Sequence, residues 1–146
     1  MELIIVISII VVVASLAIPS ALRARAQSNE AAAIGNLRTV CSAAEGFRGS
    51  LNPPAYPANF SAMVTSNPPY LDSAWTNNVQ RQGYIFSYAV GATGDTFSVI
   101  ATPRTRNVTG VNSYCVDQTS VIRRYGANAP GPYGGVNGCN PAGVAI

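Results

Sequence analysis

Three cysteines, six acids and nine basic residues carry whatever chemistry this 146-residue chain performs, because it contains no histidine. All nine basic residues are arginines. The acids are Glu2, Glu30, Glu45, Asp72, Asp95 and Asp117, and no two are close enough in sequence to suggest a general acid–base pair. No motif of an activated nucleophile accompanies them. Zinc needs more than Cys41, Cys115 and Cys139 without a histidine. Calcium needs several oxygen ligands, and Asp117 is the only acid after Asp95. The expectation is a protein that is not an enzyme and holds no metal or cofactor. Asn59-Phe-Ser61 and Asn107-Val-Thr109 have the form of glycosylation acceptors, a triplet that arises often by chance.

The cysteines still allow oxidative chemistry. An exported chain can oxidise its thiols, and three cysteines permit three single pairings. Cys41 falls on a predicted helix, Cys115 in a predicted strand and Cys139 in a tail rich in Gly, Pro and Asn. Their spacing does not choose among the pairings.

Glu2 is the acid with the least obvious use, because it heads an apolar run from Leu3 to Ile18 in which only Ser8 and Ser15 are polar. As a helix that run is about 24 Å long, a little short of a hydrocarbon core of about 30 Å. A cleavable signal peptide would carry positive charge first, and no arginine occurs before Arg23. The run is rich in Ile and Val but too long for one strand. A membrane-spanning or bundle-core helix is left. Pro19 removes a backbone donor and clashes with the Ser15 carbonyl, so a kink is expected there.

Beyond Pro19 the pattern becomes amphipathic. Ile34, Leu37, Val40, Cys41, Ala44 and Phe47 recur at spacings of three and four, with Arg38, Ser42 and Glu45 on the other side. One helix from about Glu2 to Phe47 follows. Residues 48–82 hold "LNPPAYP" and "NPPYLD" and read as a Pro-rich loop with short helical turns near Ala58–Val64 and Leu71–Trp75. Residues 83–126 hold four strand-like stretches: "GYIFSYAV", "DTFSVIAT", "NSYCVDQ" and "SVIRRYG". "GATGD" suits a hairpin between the first two, and Gln118-Thr119 a tight turn between the last two. Tyr84, Phe86 and Tyr88 share one face of the first strand. Residues 127–146 form a tail that needs an external restraint to stay ordered. The organisation expected is a protruding helix over 1–27 and a head over 28–146, α+β in class, with a roughly four-stranded antiparallel sheet packed on the helix.

Charge adds little specificity. Only 10% of residues are charged, against about 25% in an ordinary soluble domain. Arg23 and Arg25, like Arg123 and Arg124, are pairs rather than a stripe, and nothing specifies a nucleic-acid partner.

Glu2, the Ile/Val/Leu run, Pro19 and then "SALRARAQSNEAAAIGNLRTV" resemble the N-terminal helix of type IV pilins, in particular the small bacterial type similar to type II secretion pseudopilins. The resemblance covers roughly residues 1–48. It departs at two points: only Met1 precedes Glu2, and Val11 stands where a glycine is common. The resemblance implies a pilin-like fold and a subunit that resides in the inner membrane and then joins a helical filament of identical copies at the cell surface. A prepilin peptidase and a pilus assembly machinery are the implied partners. Glu2 would lie against the terminal amine of a neighbouring subunit. An unpaired carboxylate in an apolar bundle costs several kcal/mol, so pairing would set axial registry. Similar pilins often carry a bridge closing the C-terminal loop, which implies Cys115–Cys139 and leaves Cys41 as a small buried hydrophobe. The rival is Cys41–Cys139. Alternatives to a pilus subunit are a secretion pseudopilin and, in another class, a membrane-anchored binding domain that never polymerises.

The short apolar run and missing basic n-region imply that the gene encodes a basic leader and about three further mature residues before Met1. Intact-mass measurement of purified filaments should find a chain heavier than one starting at Met1; a mass matching a Met1 start would exclude this.

Overall fold

Alanine-rich sequence with apolar residues every three or four positions favours helix and supplies a face to bury. In the computed structural model, which describes residues 2–126 and 138–146, helix α1 runs from Glu2 to Ser50. At about 1.5 Å per residue it is about 74 Å long. It bends at position 16. The cause is Pro19, which carries no N–H for the Ser15 carbonyl and crowds it. The expected kink near Pro19 is therefore present as a bend in an otherwise continuous helix.

The C-terminal half of α1 buries Ala33, Leu37, Val40, Cys41 and Ala44, with Ile34 and Phe47 partly covered at the stripe edges. This face lies on β3 (Phe97–Pro103) and β4 (Ser113–Asp117). They belong to an antiparallel meander of six strands, completed by β1 (Val79–Arg81), β2 (Tyr84–Val90), β5 (Arg123–Tyr125) and β6 (Val144–Ala145). The α+β class expected from the sequence is observed, and the architecture is pilin-like. The strand count is corrected from four to six.

Both extra strands have a physical origin. Arg81 pairs with Tyr84, so Gln82 and Gly83 form a two-residue hairpin loop, with φ of 42° and 75°. Positive φ at both central residues matches the right-handed twist of the flanking strands. Strand β1 thus extends the sheet into what reads as Pro-rich loop. β6 pairs Ala145 with Arg123 and exists only because the chain end returns to β5. The "SVIRRYG" stretch contributes only Arg123–Tyr125 as strand.

On the inner face, Tyr84 and Phe86 of β2, Phe97, Val99 and Ala101 of β3, and Tyr114 and Val116 of β4 meet the helix stripe. The Pro-rich segment closes this core from the side with Tyr56, Phe60 and Trp75. Phe60 sits 5.2 Å from Trp75 and 5.4 Å from Tyr88, centroid to centroid, within the usual range of aromatic pairs. Helix α2 (Phe60–Thr65) fits the expected turn at Ala58–Val64, and the Asn59 side chain caps it by accepting from the Ala62 N–H at 2.9 Å. The turn expected at Leu71–Trp75 is a single non-helical turn in which the Trp75 N–H donates to the Asp72 carbonyl at 3.2 Å. The outer face of the sheet has its own smaller cluster: Ile100, Tyr125 and the bonded pair Cys115–Cys139, whose Cα atoms are 5.8 Å apart. Expected order in the tail from Ala127 falls largely on residues 127–137, outside the described residues.

Gly110 lies in the loop between β3 and β4 where backbone meets the buried Tyr84 ring. A Cβ there would come 2.7 Å from Tyr84 Cζ, closer than carbon atoms approach. Gly110→Ala should therefore destabilise the head by about 1–3 kcal/mol through overpacking. Denaturant unfolding monitored by Trp75 fluorescence checks this; unchanged stability would mean the Tyr84 ring can shift freely.

Candidate functional site

Helix α1 emerges from the head with its apolar N-terminal half uncovered. From Leu3 to Val13 the Leu, Ile and Val side chains are 51–73% exposed. An 18-residue window of the helix has a mean hydropathy of 2.8 and no buried share, long and apolar enough to cross a membrane. The few hydroxyls are turned inward. Ser8, Ser15 and Ser20 donate to the carbonyls of Ile5, Val12 and Ala17 at 2.7, 2.7 and 2.8 Å. Satisfied within the helix, they add little desolvation cost when the segment enters an apolar surrounding.

The predicted site residues do not form one cluster. Glu2 stands exposed at the first turn, at the tip of the apolar segment. Pro19 lies within the exposed half of the helix, in its second quarter from the N-terminus. Cys115 and Cys139 are bonded to each other, as the resemblance implied, so the Cys41–Cys139 rival is excluded. Cys41 is a buried free thiol whose Sγ donates to Ser120 Oγ at 3.4 Å. Burial pushes that thiol above its ordinary pKa, as an apolar site should.

A residue the sequence reading did not single out holds the exposed and buried halves of α1 in place. The Glu30 carboxylate accepts from the Val111 N–H at 2.7 Å and the Asn112 N–H at 3.1 Å through Oε1. Through Oε2 it accepts from Asn112 Nδ2 at 2.9 Å and the Tyr114 hydroxyl at 2.8 Å. Beside it, Asn29 Nδ2 donates to the Thr109 carbonyl at 2.9 Å. These bonds tie the loop between β3 and β4 to the helix where burial begins. Burial raises the Glu30 carboxyl, but the four hydrogen bonds outweigh it and the net direction is down. The signal was present: Glu30 lies in register with Ala33, Leu37, Val40 and Ala44, and an acid on a buried stripe must find donors.

A second acid works the same way on the outer face. Asp117 accepts from the Thr119 N–H at 3.0 Å and the Cys139 N–H at 3.0 Å, seating the disulfide loop. Its carboxyl is also lowered, burial being outweighed by the bonds from Thr119 and Cys139. Among the described residues no group of three or more His, Cys, Asp or Glu side chains comes together to hold a metal.

Between the emerging helix and the β3–β4 loop is a groove of about 450 Å³, lined by Leu22, Arg23, Gln27, Val108, Val111 and Asn112 among others. What the region offers chemically is desolvation: a large apolar surface, a carboxylate at its tip and a fixed polar junction at its base. The disulfide fits an extracytoplasmic location for the head. No protein-family model, curated protein or solved structure matches the chain.

Glu30→Ala should cost the head about 2–4 kcal/mol, because it strands donors on Tyr114 and the loop backbone. Lowered carboxyl groups contribute stability that is present above their unfolded values and lost as pH falls through the folded ones. The wild-type head should therefore weaken on acidification below about pH 4.5, and Glu30→Ala should weaken less steeply there. Denaturant melts across pH read both; an unchanged acid slope would remove Glu30 as its source.

Proposed function

We propose that this pilin-like chain is a structural subunit, held in the inner membrane by the N-terminal half of α1 and then polymerised through the same surface into an extracellular filament. One observation carries the reading: a helix whose C-terminal half is the core of the head continues for more than twenty residues with its apolar surface uncovered. Ten Leu, Ile and Val side chains between Leu3 and Val13 are more than half exposed. Covering them is worth on the order of 10–20 kcal/mol, too much for the surface of an isolated soluble subunit. A bilayer covers that surface before assembly, and a bundle of identical helices covers it afterwards.

Glu2 gives the bundle its registry. Packing between smooth apolar helices tolerates axial slippage, since neighbouring registers bury similar area. A carboxylate at the leading turn does not, because it is costly wherever no positive group meets it. The terminal amine of an adjoining subunit supplies that group.

Glu2→Ala should leave a folded, membrane-inserted subunit, because Glu2 stands exposed in the first turn of α1, at the opposite end from the half that packs in the head. Filament yield should fall severely, and Glu2→Gln, which keeps shape without charge, should fall between the two. Each variant is expressed in place of the wild type, and sheared filament is compared with total membrane subunit. Normal yield from Glu2→Ala would show the carboxylate to be incidental; absence of any filament from wild-type cells would favour an anchored, non-polymerising domain.

A further inference from the structure

We infer that Arg25 of one subunit is a second counter-charge for Glu2 of another, and that the exposed ridge of α1 from Ala21 to Gly35 is the seat for that subunit's apolar half. The pairing rests on the filament reading proposed above and adds to it a named residue and an axial register.

From Leu3 to Leu22 helix α1 carries no charged residue, so Glu2 stands at one end of the apolar span and Arg23 and Arg25 at the other. Subunits drawn from one membrane share one orientation, and their helices meet in parallel. In a parallel pair the two signs come together only when one copy is advanced by the whole span. Arg25 is exposed and has no hydrogen-bond or ion-pair partner among the described residues. Arg23 is set differently, lining the groove beside the β3–β4 loop with Leu22 and Ala26. Two residues of helix turn Arg25 about 200° from it, out of that groove.

The surface next to Arg25 suits a close helix contact. Ala21, Ala24, Ser28, Ala31 and Gly35 recur at spacings of three and four and are all exposed. They lie on the side of α1 opposite the buried Ala33, Leu37, Val40 and Ala44. Small side chains let a second helix approach closely. Gly35 sharpens the point, because a glycine inside an exposed helix costs about 1 kcal/mol relative to alanine. A Cβ at position 35 would meet nothing within 4 Å among the described residues, so packing within the subunit does not call for that glycine. A closely packed neighbour does.

The two halves of α1 also match in length. Positions 2 and 25 are separated by about 35 Å of helix. At that offset Leu3 to Leu22 of the incoming copy lies along residues 26–45 of the receiving one, whose α1 ends at Ser50. The incoming copy's Asn29–Thr109 bond then falls just past Ser50, so its head starts about where the receiving helix stops. A much longer offset would carry the apolar half past the helix that covers it. Within the contact the Arg25 fork can meet the Glu2 carboxylate with two bonds, and removing either partner leaves a charge uncompensated.

Cysteine crosslinking and filament yield test this together. Ser28→Cys is combined in turn with Leu3→Cys, Ile4→Cys, Ile5→Cys and Val6→Cys, and Ile10→Cys through Val13→Cys serve as the control set. Sheared filaments are oxidised and separated without reductant. Wild type, with Cys41 buried and Cys115 bonded to Cys139, is the blank. A disulfide needs Cβ atoms about 4 Å apart. Position 5 is level with position 28 in this register, so one of the first four pairs should give a ladder of crosslinked subunits and the control set none. Arg25→Gln should lower sheared filament about tenfold or more relative to total membrane subunit, as an unpaired charge in an apolar bundle requires. Arg25→Lys should recover part of that loss, and Arg23→Gln should stay near wild type. No ladder from the first set, or a ladder from the control set, would overturn the pairing. Normal yield from Arg25→Gln would overturn it too, and if Glu2→Ala still failed, registry by the terminal amine would stand alone. Loss with Arg23→Gln but not Arg25→Gln would move the partner into the groove and overturn the ridge as the seat. Wild-type cells without filaments would remove the filament reading itself, and this contact with it.

Discussion

Only the C-terminal half of helix α1 is covered by the head, and from Leu3 to Leu22 the uncovered half is apolar on every side. Everything else about the molecule is arranged around that constraint. A helix can be apolar all round only where something surrounds it, and among the described residues nothing does so before about residue 26. The head must therefore fold on the remaining half alone, and the junction between the halves must stay rigid although one side of it faces no protein. The polar clamp at Asn29 and Glu30 meets that demand. Glu30 joins helix to loop by charge-assisted bonds, and Asn29 by a neutral one, at the level where apolar packing gives out.

The head solves its own problem with aromatic residues and a staple. A six-stranded sheet needs cover on both faces, but a single helix stripe covers only the middle of one. The Pro-rich segment brings Tyr56, Phe60 and Trp75 to the uncovered side of that face, where large rings fill volume at little cost in side-chain entropy. Its prolines forbid regular structure and shorten the list of conformations the segment gives up on folding. Arg81 closes the edge, its guanidinium 4.7 Å from the Trp75 ring and 3.2 Å from Asp72. The opposite face is covered by the returning chain end, held by Cys115–Cys139, by Asp117 on the Cys139 N–H, and by the Tyr125 hydroxyl donating to the Asn140 carbonyl at 2.6 Å.

Two oxidation states of cysteine then coexist without interfering. Cys115 points to the outer face with Cys139, while Cys41 is buried against the inner face beside Ser120. Alternation along β4 places the two sulfur environments on opposite sides of the sheet. A thiol on the inner side cannot reach the bridge on the outer side while the sheet is intact.

The long helix, its division into an apolar and an amphipathic half, the bend near Pro19, and the hairpin at "GATGD" were all legible in the sequence. Each follows from residues within a few positions of one another: a period of 3.6, a missing N–H four residues from a carbonyl, a glycine turn between β-rich stretches. The inward face of β2 was legible for the same reason, since alternation is local. Only the tertiary structure decided which donors Glu30 meets, because Val111, Asn112 and Tyr114 lie more than eighty positions away. It also selected Cys139 for Cys115 and recruited Val79–Arg81 and Val144–Ala145 as strands. A period or a turn is written in neighbouring residues, whereas a hydrogen-bond partner, a disulfide mate or an edge strand is defined by what the completed fold brings alongside it.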